Sequence, residues 1–169
     1  HLEDAVRCVG FHGSTPCIEF LGRLDMTANL AGEKLSEAVV RRAIEIAHWE
    51  TNIEPRFVLC TPVNSPKARY RLFLERKGSE GDLTNFQFCL ERQLQESDGY
   101  RSARKRGLLA ELELIEVKGG WDTFRRVRRR EGLAVPDRQD QAYLDLHPIW
   151  EHAFQKGQST TRAEINSDL

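Results

Sequence analysis

The hydrophobic and polar positions near the start of the chain alternate as they do in two short strands. The run AVRCVGF over 5–11 and the run CIEFL over 17–21 flank a turn that contains a glycine and a proline. Alternation on both sides of such a turn predicts a β-hairpin with a longer loop. Because two strands alone are marginally stable in water, the hairpin either packs on the rest of the chain or forms the edge of something larger.

Beyond the hairpin, the hydrophobic period switches between that of helices and that of strands. Three helices, three strands and one short basic helical turn are predicted: helices over 36–50, 83–95 and 121–131, strands over 56–61, 69–76 and 112–117, and the turn over 100–107. Ser36 is placed to cap the first helix. The order α-β-β-α-β-α predicts an α+β fold, in which a small ferredoxin-like sandwich follows the hairpin.

The overall charge narrows the classes of function. With 25 Lys and Arg against 26 Asp and Glu, the 169-residue chain has a formal net charge of -1, which argues against a globally basic nucleic-acid binder. No apolar run approaches the ~20 residues of a membrane-spanning helix. The four cysteines form no C-x-x-C pair. We therefore expect one domain, or one domain with an appendage, in the cytoplasm with reduced, half-buried thiols.

Two polar clusters have both a chemical and a structural interpretation. The segment 101–130 carries ten basic and four acidic residues and could contact an anionic partner, but no RNP-like pattern accompanies it. The acidic segment 131–169 can pair with it, so a solvated, partly paired face is favoured. The motif HPIWEH over 147–152 lacks the spacing of a zinc site, which favours a docked tryptophan between surface histidines.

The segment 22–35 is the richest in candidate chemistry. It holds two glycines, two cations and two acids between the hairpin and the first helix. A glycine-rich turn lets backbone approach a ligand, and its cations could contact a phosphate. The segment has no G-x-x-x-x-G-K-[ST] pattern, so it is not a P-loop. From the residues alone, an ordinary connecting loop is favoured and no self-contained active site is predicted.

A longer motif surrounds this segment. In order along the chain come an acid, a valine-rich run ending in G-F, a T-P turn, F-x-x-R and E-K-x-x-E. The positions are Asp4, Val6, Val9, Gly10, Phe11, Thr15, Pro16, Phe20, Arg23, Glu33, Lys34 and Glu37. This series resembles the junction region of the acyl acid–amido synthetases of the Gretchen Hagen (auxin-responsive) family, which belong to the adenylate-forming superfamily. The later segments over 96–107 and 121–124 resemble two further motifs of the same family.

The resemblance implies roles for individual residues. Asp4 matches the acid that holds the ribose hydroxyls of ATP, and a carboxylate suits two hydroxyl donors. Arg23 matches an arginine near the nucleotide, and Asp25 matches the hinge about which the small domain swings between two half-reactions. The loop presented to the active site during acyl transfer is matched by Gly32, Glu33 and Lys34.

Two positions depart from the family pattern. Glu3 stands where the family has the glycine before the ribose-binding acid. The family also carries a lysine after the last helix that meets the α-phosphate during adenylation, but residues 133–147 contain none. Arg138 is the nearest cation there, and its guanidinium is a poor substitute for the compact charge of an ammonium group.

The resemblance implies the C-terminal mobile domain of an ATP-dependent ligase that joins a carboxylic acid to an amine, such as an amino acid, through an acyl-AMP intermediate. It divides the chain into a hairpin of the large domain (1–22), a hinge and loop (23–35), the mobile domain (36–154) and a flexible tail (155–169). A large N-terminal domain in cis would bind ATP with Mg²⁺, so the chain alone is predicted to be inactive. The alternatives are a stand-alone ferredoxin-like interaction module that binds an anionic partner through its basic segment, and an inactive ligase descendant.

The hinge assignment predicts the effect of Asp25→Pro in the full-length enzyme. Proline fixes φ and restricts the backbone rotation that a hinge requires. The amide-forming step should therefore slow more than adenylation does, as measured by amide release against pyrophosphate exchange. An equal loss of both steps would contradict the hinge role.

Overall fold

Strands and helices follow the predicted order along the chain. The computed structural model describes residues 4–23, 26–78, 81–137 and 143–154. Its strands are β1 (Asp4–His12), β2 (Thr15–Arg23), β3 (Thr27–Ala28), β4 (Leu35–Ser36), β5 (Pro55–Val63), β6 (Arg69–Arg76) and β7 (Glu113–Glu116). Its helices are α1 (Glu37–Thr51), α2 (Leu83–Leu94), α3 (Asp98–Lys105), α4 (Gly120–Arg130) and α5 (Trp150–Ala153). The α+β class and the α-β-β-α-β-α order are confirmed, with α3 at the predicted helical turn.

The N-terminal hairpin pairs β1 with β2 in antiparallel fashion, from Asp4 opposite Arg23 to His12 opposite Thr15. Every residue from 8 to 18 is exposed. Apolar side chains share this exposure, since Val9 is 58% and Phe11 is 70% accessible. Of the two alternatives that the sequence left open, this stretch therefore does not bury itself against the α+β body.

The central sheet has the order β5-β6-β7. Strand β6 is antiparallel to β5 and parallel to β7. A parallel pair needs a long crossover connection, and helices α2 and α3 supply it. The segment around Leu144 extends the sheet beyond β5, because the Cys60 amide donates to the Tyr143 carbonyl at 2.8 Å and the Asp145 amide donates to the Cys60 carbonyl at 3.0 Å.

One face of the sheet is covered by α1, α2 and α3. Tyr70, Leu72 and Leu74 alternate along β6 and pack against the apolar sides of these helices. The Ser36 side chain accepts a hydrogen bond from the Val39 amide at the start of α1, which confirms the predicted cap. This core also takes in Leu35. The short strands before α1 are therefore anchored in the same core.

The opposite face carries a second core that the sequence analysis did not anticipate. Phe73 points to this side of β6 and lies 4.4 Å from Phe154 between ring centroids. Phe124 of α4 stacks on Trp150 of α5 at 5.0 Å. Helices α4 and α5 thus make the sheet the middle of three layers. Trp150 is fully buried, which confirms the docked tryptophan.

Two further expectations concern the cysteines and the membrane. All four cysteines are free, with Cys8 and Cys17 exposed and Cys60 and Cys89 buried, so none has the half-buried character expected from the sequence. Within the described ranges, no helix combines the length and the hydropathy that crossing a bilayer requires.

Trp150 and Trp49 provide a matched test of the second core. Trp150→Ala should lower the free energy of unfolding by about 3–5 kcal/mol, because it empties a fully buried site. Trp49 is 79% exposed, so Trp49→Ala should change it by less than about 0.5 kcal/mol. Urea unfolding of both variants measures the difference. Similar small losses would mean that α5 does not belong to the folded body.

Candidate functional site

The loop singled out by the sequence lies at the tip of a very short hairpin. Strand β3 pairs with β4, with Thr27 opposite Ser36 and Ala28 opposite Leu35. Ala28 and Leu35 are buried, at 2% and 0% exposure. Residues 29–34 between them form the loop, which we call the Glu33 loop. Its two ends are therefore fixed in the first core, and only its inner residues have freedom to choose a conformation.

Glu33 is turned into the protein. The residue is only 2% exposed to solvent. The Leu30 amide donates to Oε1 and the Ala31 amide donates to Oε2, both at 2.7 Å. The Tyr70 hydroxyl, from the middle layer, also donates to Oε1. Burying a carboxylate is costly unless donors surround it, and here both oxygens are satisfied. Glu33 therefore shapes the loop from inside.

These contacts use the backbone groups that a phosphate would need. The amides of Leu30 and Ala31 are taken by Glu33, and the Gly32 amide donates to Asn29 Oδ1 at 2.8 Å. A phosphate cradle needs several free amides that converge on one point. The idea that the loop backbone binds a phosphate is therefore not supported, and the loop's chemistry falls to its side chains.

Lys34 is the outward-facing group of this loop. It is exposed, and its φ of 50° lies in the left-handed region that residues with a Cβ seldom adopt. Gly32 has φ 89° and adopts such a conformation at no steric cost. Lys34 stands between buried Glu33 and buried Leu35. Its backbone is thus held from both sides while the residue itself is exposed to solvent.

Gly99 supports the loop from the neighbouring helix. It is the second residue of α3, and a Cβ at this position would lie 2.1 Å from the Glu33 carbonyl oxygen. No real Cβ contact is that short, so any side chain here would displace the Glu33 loop. The glycine in the run ESDGYRSARKRG is therefore required by packing against the loop.

A second buried carboxylate lies beyond the first. Glu91 is 5% exposed and accepts hydrogen bonds from the Tyr100 hydroxyl at 2.7 Å and the Leu112 amide at 3.0 Å. The Arg104 guanidinium donates to it at 2.6 Å. The rings of Tyr100 and Tyr70 lie 6.1 Å apart. Two tyrosine–glutamate pairs thus sit side by side, one holding the Glu33 loop and the other holding α2, α3 and the start of β7 together.

Both phenols remain protonated where free tyrosine ionises. Burial, and then the adjacent Glu33 carboxylate, raise the pKa of Tyr70 far above its usual value. Burial and the Glu91 carboxylate do the same to the pKa of Tyr100. Each hydroxyl therefore acts as a hydrogen-bond donor to its carboxylate throughout the neutral range.

The residues matched to nucleotide binding meet at the open end of the N-terminal hairpin. Asp4 and Arg23 are partners in the register of β1 and β2, so their backbones are adjacent. Asp25 and Arg138 lie outside the described residues. Lys34 and Glu33 belong to a different hairpin. The structure therefore groups the predicted residues into two sets rather than one.

The basic segment is partly paired. Besides the Arg104 contact to Glu91, Arg128 of α4 donates to Asp145 Oδ2 at 3.0 Å. Asp145 lies in the acidic segment that follows, as the solvated, partly paired interpretation expects. Among the described residues, no group of three or more His, Cys, Asp and Glu could hold a metal ion.

Sequence reasoning assigned no role to Tyr70, Glu91, Gly99 or Tyr100, although the last two lie in the segment 96–107 that resembles a family motif. Tyr70 is predicted only as one apolar position in a strand, and it contacts Glu33, which lies 37 positions earlier in the sequence. A local pattern carries no signal for such a pair. The buried Glu91 had a weak signal, since it lies on the apolar side of α2 beside Leu90 and Leu94.

Comparison with known proteins identifies relatives for most of the chain. The model of the GH3 family C-terminal domain matches residues 33–135. The jasmonoyl–L-amino acid synthetase JAR6 of Nicotiana attenuata is 30% identical over 132 residues, which are 75% of this chain and 22% of the synthetase. JAR4 of the same plant matches with the same identity and coverage. The chain thus spans about a fifth of the length of these two relatives.

Solved structures share the fold. The GH3.15 acyl acid amido synthetase superimposes with a TM-score of 0.70 at 19% identity, covering 92% of this chain and 29% of that chain. The AtGH3.15 acyl acid amido synthetase in complex with 2,4-DB gives a TM-score of 0.69 at 18% identity. The fold described above, including most of the region outside the family match, is therefore found within larger proteins.

The two buried phenols predict how stability depends on pH. Above about pH 10 the unfolded tyrosines lose protons that the native ones keep, so the free energy of unfolding should fall as the pH rises. Each phenol contributes up to about 1.4 kcal/mol per pH unit. Tyr70→Phe removes one of them, so urea unfolding between about pH 9 and 11 should show a shallower fall than in the wild type. Equal slopes in the two proteins would mean that Tyr70 ionises freely in the native state.

Proposed function

This chain belongs to the GH3 family as a C-terminal domain, and from that premise we propose that it is the mobile domain of a longer ATP-dependent ligase. The ligase would join a carboxylic acid to an amine through an acyl adenylate. The observation that carries the proposal is the combination of family and coverage, since the chain matches a family domain yet spans only 22% of the JAR6 synthetase.

The relatives' names suggest the substrate classes. Jasmonoyl–L-amino acid synthetases and acyl acid amido synthetases both form an amide from an acyl acid, and in the former the amine is an amino acid. In the proposed reaction, the carboxylate attacks the α-phosphorus of ATP and releases pyrophosphate. The amine nitrogen then attacks the acyl carbon, AMP leaves with the electrons of the acyl–oxygen bond, and the amine loses a proton.

The exposed hairpin supports a large N-terminal domain in cis. Val9, Phe11 and Ile18 are each more than half exposed. Apolar side chains grouped on one two-stranded hairpin are typical of a surface that another part of the protein covers. We assign this hairpin (1–22) to the large domain, the stretch 23–35 to the hinge and loop, and 36–154 to the mobile body.

The proposed roles of individual residues follow this division. Asp4 and Arg23, adjacent at the open end of the hairpin, would contact the nucleotide, and Asp25 would be the hinge. Lys34 would bring its charge to the acyl-transfer centre, where a fixed cation stabilises negative charge on the reacting groups. We assign the Mg²⁺ that accompanies ATP mainly to the large domain, which would bind the nucleotide.

The size of the native protein is the first test. An immunoblot of source cells with an antibody to this domain should show a band several-fold heavier than 19.4 kDa. The purified full-length protein should then catalyse ATP–pyrophosphate exchange that depends on an added carboxylic acid, and release AMP when an amino acid is added.

Three results would contradict the proposal. A native band at the size of this chain would point to a free-standing interaction module. A heavy band without pyrophosphate exchange, over a panel of acyl acids, would point to an inactive descendant that lost the family's C-terminal lysine. Exchange followed by transfer to a thiol instead of an amine would place the protein in another branch of adenylate-forming enzymes.

A further inference from the structure

The buried contact between Tyr70 and Glu33 has a consequence for the proposed reaction. We propose that Tyr70 is a positioning residue: through the Glu33 carboxylate it fixes the conformation in which the Glu33 loop presents Lys34. The inference rests on the proposed function for the reaction that Lys34 serves. The hydrogen-bonded arrangement itself does not depend on that function.

Tyr70 is placed to act as a fixed anchor. It belongs to β6, the central strand of the sheet, and is fully buried. Its neighbours Arg71, Leu72, Phe73 and Leu74 are buried as well, on both faces of that strand. The strand that carries the Tyr70 ring therefore cannot shift without moving two cores. A donor on such a strand defines the position of the carboxylate that accepts from it.

The carboxylate transmits this position to the loop. Its Oε1 accepts from both the Tyr70 hydroxyl and the Leu30 amide, and its Oε2 accepts from the Ala31 amide. On the other side, Gly99 leaves room for the Glu33 carbonyl and for nothing more. The loop is thus seated between the sheet and α3. Loss of the phenolic hydroxyl frees one side of the carboxylate, while Gly99 still limits where the Glu33 backbone carbonyl can lie.

Lys34 is where this arrangement reaches the surface. Its left-handed backbone, with φ 50°, is disfavoured for a lysine and persists only where the surroundings hold it. The residues on either side of it are buried. With the loop released, Lys34 can relax to an ordinary conformation that points its ammonium group elsewhere. Releasing the loop should therefore change the direction of the Lys34 ammonium group but not its charge.

Tyr100 provides a matched control. It is as buried as Tyr70, and its hydroxyl also donates to a buried glutamate, in this case Glu91. Glu91 accepts from Arg104 and from the Leu112 amide, and neither group belongs to the Glu33 loop. Tyr100→Phe should therefore cost a similar amount of stability while leaving the loop in place.

The test combines amide hydrogen exchange with the two half-reactions. In the 169-residue chain, Tyr70→Phe should speed exchange at the Leu30 and Ala31 amides at least tenfold relative to Tyr100→Phe. In the full-length protein, Tyr70→Phe should slow amide formation about tenfold at saturating amine, and Lys34→Gln should do the same. Both variants should leave carboxylate-dependent pyrophosphate exchange within twofold of the wild type. Tyr100→Phe should leave the exchange rates of the loop amides and the rates of both half-reactions close to those of the wild type.

Each of the other outcomes contradicts one step of the proposal. Unchanged amide exchange in the Glu33 loop of Tyr70→Phe means that the hydroxyl does not hold the loop. Faster loop exchange with normal amide formation means that the contact is structural only. Equal loss of both half-reactions means that lost stability explains the effect. The same conclusion follows if Tyr100→Phe also slows amide formation more than pyrophosphate exchange.

If Tyr70→Phe fails to fold, Gly99→Ala, which pushes the same loop from α3, takes its place. If the wild-type protein lacks pyrophosphate exchange, the proposed function is what fails, and the amide-exchange result still decides whether Tyr70 holds the loop.

Discussion

A carboxylate removed from water must find a donor for each of its oxygens, and the Glu33 side chain finds all of its donors at once. Two come from its own loop and one comes from Tyr70 in the central strand. An unsatisfied carboxylate in this position would cost several kcal/mol, so the loop has no comparable alternative while Glu33 stays inside. The outward direction of Lys34 and the need for a glycine at position 99 both follow from this one buried group.

The central strand gives that interaction its rigidity. Residues of β6 alternate between two cores, with Tyr70, Leu72 and Leu74 on one side and Phe73 on the other. A strand buried on both faces cannot adjust locally without cost to both layers. The α+β body is therefore suited to move as a unit, which is what the proposed swing about residues 23–35 requires of it.

The two hairpins differ in how far the rest of the described chain buries them. The β3–β4 hairpin has its ends in the first core and a loop shaped by buried hydrogen bonds, whereas residues 8–18 of the β1–β2 hairpin are all exposed. A two-stranded ribbon of nine residues a side needs a surface to pack on. In the proposed full-length protein the large domain would supply that surface. The register of Asp4 with Arg23 would then place both residues at the proposed junction.

Local pattern was enough for most of the secondary structure. Ser36 before an apolar period of 3.6 predicted the start of α1, and the alternation around Tyr70, Leu72 and Leu74 predicted β6. It did not predict that Phe73, on the other side of the same strand, faces a second core. The burial of Trp150 was predicted, but its stacking on Phe124 and the three-layer arrangement were not.

The sequence by itself determined the order of elements, the fold class and the family resemblance, because each depends on patterns among residues that are close together along the chain. Tertiary structure decided which of the loop's polar residues turn inward and which remain available for chemistry. Glu33 and Lys34 are adjacent and both charged, and no local rule ranks one as buried and the other as exposed. The choice depends on the Tyr70 hydroxyl and on the space above Gly99, and both are brought to the loop only when the chain has folded.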